Sequence, residues 1–177
     1  MKKMLVICAR HGYAGSSIPD DAAKDDARQL TPSGARAVKA VASHLADEGI
    51  RPTKICHSPA VRAAQSAKIL GGILGTPTAE EPLLYIHGPL SVLLRRFADD
   101  GEKRVVLVSH DDVLENGLHQ LDRASPKQVV DKYAMGEARA FDFDRDDLSW
   151  SERMRVLPSD LGEEDVYDHA AKIFHSP

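Results

Sequence analysis

The chain has 177 residues, 42% of them hydrophobic and 28% charged, with a formal net charge of −4. That length suits one domain with a substantial core. The acidic balance argues against a nucleic-acid partner, which a basic patch or stripe would announce, and no apolar run approaches the ~18 residues of a membrane span. The opening MKKMLVICA has the lysines and apolar run of a signal peptide. The run is too short, however, and Arg10 and His11 stand where a cleavage region belongs, so a cytoplasmic protein is expected. Cys8 and Cys56 end apolar runs and read as buried thiols. No spacing of His, Cys or acidic residues suggests a metal.

In chain order, Met4 to Ala9 reads as a buried strand that presents Arg10, His11 and Gly12 at its carboxyl end. Ligands of open α/β sheets sit outside such strand ends. A guanidinium beside an imidazole there suggests an anion bound by one group and attacked by the other; a surface basic pair is the alternative. Tyr13 to Leu30 is polar and reads as a loop. Thr31-Pro32-Ser33 opens a helix, with Thr31 as N-cap and Ala35, Val38, Val41, Ala42 and Leu45 as its apolar face, ended by Gly49. Lys54 to His57 is a short strand. Ser58-Pro59 repeats the cap-then-proline signal before a helix carrying Ala60, Ala63, Ala64, Ala67, Leu70 and Leu74 on one face. Arg62 lies early in that helix, off the stripe, as part of an anion site or as a solvated surface residue.

Residues 76–88 read as irregular, Leu90 to Ala98 as a helix, and Arg104 to Ser109 as a strand of a parallel sheet interior that delivers His110 to its end. Asp111-Asp112 open a helix through Leu121, and Ser125-Pro126 a short one through about Tyr133. Glu137 to Phe143 and Leu148 to Val156 read as an antiparallel hairpin. Asp160 to Pro177 is acidic and amphipathic, so residues 1–157 form the expected domain and 158–177 a helical tail docked on it or on a partner, with oligomerisation through the tail as one option. The order predicts an α/β three-layer sandwich with a mixed, mostly parallel central sheet flanked by helices. Right-handed crossovers bring the strand ends to one edge, so that Arg10, His11, Arg62 and His110 meet as two cations and two imidazoles. Phosphoryl transfer through a histidine needs such a set.

Arg10-His11-Gly12, then Asp25 through Leu30-Thr31-Pro32-Ser33-Gly34, then Ser58-Pro59-Ala60-Val61-Arg62-Ala63-Ala64-Gln65-Ser66-Ala67, then Val106 to His110, resemble the histidine phosphatase superfamily over roughly residues 3–150. The short length and the LTPSG spacing look like its phosphohistidine phosphatase type. The resemblance implies a phosphoglycerate mutase-like fold, His11 as phosphorylated nucleophile, and Arg10, Arg62 and His110 as the phosphate pocket. It implies no metal and no other cofactor. Ser17 falls where the family often has a phosphate-contacting residue. Asp111 follows the second histidine, where one branch carries its general acid; it reads equally as the helix cap. Tyr13, His57 and Asp111-Asp112 depart from the commoner residues, and His57 is a candidate for the pocket rim. His44, His87, His119, His169 and His175 match no motif.

Three functions remain open. The leading one is hydrolysis of phosphohistidine on a protein, whose imidazole leaves without a positioned acid. The second is hydrolysis of a small phosphorylated metabolite, a phosphomonoester, with Asp111 or Glu80/Glu81 as acid. The third is a non-catalytic phosphate- or phosphoprotein-binding module.

Overall fold

The computed structural model describes residues 3–15, 17, 20–85, 88–121 and 131–163. In chain order they form β1 (Lys3–Arg10), α1 (Ala22–Asp26), α2 (Pro32–Asp47), β2 (Lys54–His57), α3 (Val61–Leu74), β3 (Thr78–Glu80), α4 (Leu90–Asp99), β4 (Arg104–Ser109), α5 (Asp111–Leu121), β5 (Ala138–Asp144) and β6 (Trp150–Val156). The strands make one sheet in the order β3-β2-β4-β1-β5-β6. β1, β2, β3 and β4 run parallel, β5 runs antiparallel to β1, and β6 antiparallel to β5. This is the expected mixed α/β sandwich.

Strand alternation divides the core in two. Met4, Val6 and Cys8 of β1 face one layer with Leu93, Leu94 and Phe97 of α4 and Leu114 and Leu118 of α5. Leu5, Ile7 and Ala9 face the other, with Val38, Val41 and Leu45 of α2 and Ala63, Ala67 and Leu70 of α3. Helices therefore cover both faces of β1 and β4, which explains why those strands read as continuous apolar runs. The chain leaves β1 toward α2 on one face and leaves the adjacent β4 toward α5 on the other. That reversal opens a crevice at the carboxyl ends of the two strands.

Several local expectations are corrected. The polar segment after Gly12 contains α1, whose N-cap Asp21 accepts hydrogen bonds from the N–H groups of Ala23 and Lys24. The 76–88 segment contains β3, an edge strand of three exposed residues, too short for any periodicity to show. A 3₁₀ turn, Pro82–Leu84, follows it. Ser58 does not cap α3: the helix begins at Val61, its N-cap position is Ala60 without a side-chain bond, and the Ser58 hydroxyl turns to His110 instead. The hairpin strands start one and two residues later than expected, and a bulge lies between Ala140 and Phe141. Residues 131–133 are not helical, and the rest of the helix expected from Ser125 lies outside the described residues. Pro158–Leu161 form a 3₁₀ turn, Glu163 reaches Arg36 of α2 at 3.7 Å, and the remainder of the tail lies outside the described residues.

Thr31 does cap α2, its hydroxyl accepting from the Gly34 N–H at 3.0 Å. The same residue clamps the chain behind the strand, because the Tyr13 carbonyl accepts from both the Thr31 N–H (2.9 Å) and hydroxyl (3.1 Å). The crossing is so close that a Cβ on Gly34 would lie 2.2 Å from the Tyr13 carbonyl oxygen, and one on Gly12 2.5 Å from the Gly34 oxygen. Both glycines are required by backbone contact. Gly34→Ala is therefore expected to lower stability by about 1–3 kcal/mol in urea denaturation and to reduce turnover, because relief requires moving the chain that carries His11. A variant with native stability would contradict this contact.

Candidate active site

Backbone bonds fix the pocket before any side chain is considered. Arg10 N–H donates to Glu137 O at 2.9 Å, His11 N–H to Ser109 O at 3.0 Å, and Gly136 N–H to His11 O at 3.0 Å. His11 thus emerges from β1 pinned between β4 and the start of β5. His110 sits at the same level, one residue past β4. The two rings lie 5.1 Å apart, centroid to centroid, at an interplanar angle of 67°.

Arg62 occupies the space beside them and is only 6% exposed. A surface position is thereby ruled out. Its Nε donates to His11 Nε2 at 3.2 Å, one terminal nitrogen donates to the Asp25 carbonyl at 2.7 Å, and the other meets Asp25 Oδ2 at 3.1 Å and His110 Nδ1 at 3.5 Å. Its own carbonyl accepts from the Ser66 hydroxyl at 2.8 Å, and that hydroxyl accepts from the Gly12 N–H at 3.1 Å. This chain of bonds locks the first turn of α3 to the strand end.

The partners assign the tautomers. The Gly12 carbonyl 2.8 Å from His11 Nδ1 can only accept, so Nδ1 carries the proton. Arg62 can only donate, so Nε2 holds a lone pair. His110 is protonated on Nε2, which donates to the Ser58 hydroxyl at 2.8 Å, and its Nδ1 faces Arg62. Burial holds the His11 imidazole well below its ordinary value, aided by the charges of His110, Arg62 and Arg10 and opposed by the Gly12 carbonyl. Burial and then Arg62 push His110 down to about 4, against the carboxylates of Asp112, Asp26 and Asp25. Both rings are neutral at neutral pH, and His11 presents an unprotonated nitrogen able to attack phosphorus.

Arg10 completes the cationic side. A terminal nitrogen donates to the Tyr133 carbonyl and lies 3.8 Å from Asp111 Oδ2. Asp111 does not cap its helix. Its other oxygen accepts from the Tyr133 N–H at 2.6 Å, which ties the start of α5 to the segment before β5. Glu81 is 8% exposed, accepts from the Leu83 N–H at 3.1 Å and pairs with Arg96. Glu80 is exposed on β3, and half-buried His57 turns Nδ1 to the Ser58 carbonyl at 2.9 Å. Ser17 is exposed and makes no hydrogen bond with the four pocket residues among those described. His44 and His119 stand apart from the pocket; His87, His169 and His175 lie outside the described residues.

Three contributors were not assigned from sequence. Asp25 binds Arg62 and also Arg28, whose Nε lies 2.7 Å away. Asp26 accepts from the Tyr85 hydroxyl at 2.5 Å, and the Tyr85 ring stands edge-on to His110 at 6.0 Å. The i,i+3 spacing of Asp25 and Arg28 was the available signal for the first pair; the second joins residues 59 positions apart.

A histidine that resists protonation when folded destabilises the protein as the unfolded chain takes up protons. Stability should thus fall as pH drops from about 6.5 toward 4, and flatten below the folded value. In His110→Gln this decline should shrink by on the order of 2–3 kcal/mol, read from urea denaturation across pH. Parallel curves for the two proteins would contradict a neutral, buried His110.

Comparison with known proteins bears on the family and the fold. The model of the histidine phosphatase superfamily (branch 1) matches residues 6–85. The chain is 30% identical over 112 residues to the phosphohistidine phosphatase SixA of Escherichia coli (strain K12), covering 60% of this chain and 67% of that one. Among solved structures it resembles protein histidine phosphatase SixA complexed with tungstate, with a TM-score of 0.77 at 23% identity over 89% of this chain and 99% of that chain. It also resembles a mycobacterial glucosyl-3-phosphoglycerate phosphatase, with a TM-score of 0.62 at 16% identity over 86% and 98% of the two chains. With His11 at the end of β1, His110 beside it and Arg62 between them, the chain belongs to the histidine phosphatase superfamily.

Proposed function

We propose that the protein hydrolyses phosphohistidine on a phosphorylated protein, through a phosphoryl intermediate on His11. The observation that carries this reading is a neutral His11 with its Nε2 lone pair inward, beside candidate acids Asp111, Asp25, Asp26 and Glu81 that already hold partners. Asp111 is bound by Arg10 and the Tyr133 N–H, and Asp25 by Arg28 and Arg62. Asp26 is bound by the Tyr85 hydroxyl, and Glu81 by Arg96 and the Leu83 N–H. An alkoxide leaving group needs a positioned acid, whereas an imidazole accepts its proton from water. The similarity to SixA of Escherichia coli supports the same substrate class.

In this scheme Arg10, Arg62 and His110 surround the equatorial oxygens of the phosphoryl group. His11 Nε2 attacks phosphorus, the new N–P bond forms as the substrate's P–N bond breaks, and the substrate imidazole leaves after taking a proton from water. A water molecule then attacks the phosphorylated His11, breaking its N–P bond and releasing inorganic phosphate. Nδ1 keeps its bond to the Gly12 carbonyl throughout, so the imidazole is held for in-line attack in both halves.

Incubation with a phosphohistidine protein should yield acid-labile, alkali-stable phosphate on His11. His11→Ala should abolish both label and turnover, and Arg62→Ala should lower kcat/KM by roughly 10²–10³-fold. Hydrolysis that survives His11→Ala, or tight binding without turnover in the unaltered protein, would overturn the proposal.

The contact between Asp111 and Arg10 gives a second reading its footing: a phosphomonoesterase with Asp111 as acid. Asp111→Asn separates the two. If Asp111 only positions Arg10 and Tyr133, aryl phosphates with good and poor leaving groups lose activity in equal proportion. A loss at least ~10-fold greater for the poor leaving group would establish Asp111 as the proton donor.

A further inference from the structure

We propose that a cleft at the amino-terminal ends of β1 and β4 is a second anion site, which takes a small ligand carrying two or more phosphate groups. The cleft measures about 460 Å³ and is lined by Lys3, Arg51, Lys103, Arg104, Arg153 and a single carboxylate, Asp142. That volume lies in the range of small-molecule sites. β1 and β4 carry the catalytic histidines at their opposite ends. One strand length, roughly 17 Å at 3.3 Å per residue, separates the two places. One phosphoryl group cannot occupy both.

Charge is the main argument. Asp142 is engaged by Arg153 at 2.9 Å. Glu102, next to the cleft, is engaged by Lys54 at 3.0 Å and by the Thr53 hydroxyl at 2.7 Å. Among the described residues no carboxylate lies within ion-pair distance of Lys3, Arg51, Lys103 or Arg104. Four unneutralised cations therefore share one concavity in a chain whose net charge is −4. A concave wall of one sign focuses the field and concentrates counter-ions.

The cleft is also formed by fixed elements. Leu5 lies in its lining at 9% exposure, its N–H bonded to the Lys103 carbonyl at 2.9 Å. One terminal nitrogen of Arg51 donates to the carbonyls of Ala46 (3.0 Å) and Ile50 (2.9 Å) at the end of α2, which orients the rest of the guanidinium. The cations come from β1, the segment after α2, the start of β4 and β6, so a single phosphate reaches only some of them. With these five removed, the rest of the chain is strongly acidic, which disfavours a nucleic-acid track extending from the cleft. The inference is independent of the substrate proposed for His11.

The test is a backbone-amide NMR titration with inorganic tripolyphosphate, and separately with ATP, at constant ionic strength. The amides of Leu5, Thr53 and Arg104 should shift saturably. In Lys103→Glu/Arg104→Glu, and independently in Lys3→Glu, affinity read from those shifts should fall about tenfold or more. Turnover of an aryl phosphate should stay within about twofold of the unaltered protein. Tighter binding of ATP than of tripolyphosphate would assign a nucleotide, and equal binding the phosphate chain alone. Shifts confined to His11, Gly12 and Arg62, unchanged affinity in both folded variants, or an equal response to sulfate would overturn the proposal.

Discussion

The arrangement of the site depends on one guanidinium held almost out of water. A buried cation is tolerable only if its donors are matched, and Arg62 is matched by Asp25 on one side and by two imidazoles on the other. Because the guanidinium is planar with its donors in a fixed fork, satisfying Asp25 also dictates where Nε points. It points at His11 Nε2. Burial is the larger cause of the neutral state of both rings, and the same charge adds to it, so one residue fixes the geometry at His11 and reinforces its unprotonated form. A lysine in its place would supply the charge without the orientation.

Fixing that guanidinium requires elements far apart in sequence to meet. Ser66 ties α3 to the Gly12 N–H, Ser58 ties the end of β2 to His110, and Thr31 ties α2 to Tyr13. Each is a short hydroxyl facing a backbone or ring partner across the edge of the sheet, where the apolar core ends and polar groups need satisfaction. On the far side of His11 the support is ionic. Glu137, wholly buried, accepts from Arg139 at 2.5 Å and from Arg155 at 2.7 Å, and its second oxygen accepts from the Ala134 N–H at 2.6 Å. That network shapes the segment whose Tyr133 carbonyl receives Arg10 and whose N–H receives Asp111. The pocket is hydroxyl-braced on one wall and charge-braced on the other.

Much of this was legible in the sequence, for identifiable reasons. β1 and β4 are buried on both faces, so their apolar runs were unambiguous, and the residues that end them are the histidines. Thr31-Pro32 and the apolar spacing of α2 located that helix to the residue. Less was visible where polar groups serve each other. Ser58-Pro59 has the form of a helix cap, but a hydroxyl bonds whichever partner the fold brings near, and His110 is 52 positions away. Asp111 likewise has the form of a cap and answers Arg10 and Tyr133. Nothing local in Asp25 shows that it meets Arg62, because that contact exists only once α1 has folded back over the strand end. Periodicity reports what is buried against a core, whereas pairing between polar loops is decided by topology.

The Asp25 contact also bears on how such a pocket turns over. In the scheme proposed for His11, two guanidiniums and two imidazoles would bind phosphate through strong charge-assisted bonds, and tight product binding slows an enzyme. Asp25 occupies a terminal nitrogen of Arg62, at 3.1 Å, and its backbone carbonyl occupies the other. In that scheme an incoming phosphoryl group would meet a guanidinium whose charge is partly neutralised and whose Nε is the donor turned inward. Asp25 would then hold the cation after phosphate departs, so that release would not strand a buried charge. Because Asp25 is bound to Arg28 as well, and Arg28 to the carbonyls of Ala14 (3.3 Å) and Gly15 (3.2 Å), the same carboxylate fastens the loop after His11. In the proposed scheme, binding of the phosphoryl group at Arg62 and the placement of Ala14 and Gly15 thus draw on one set of bonds.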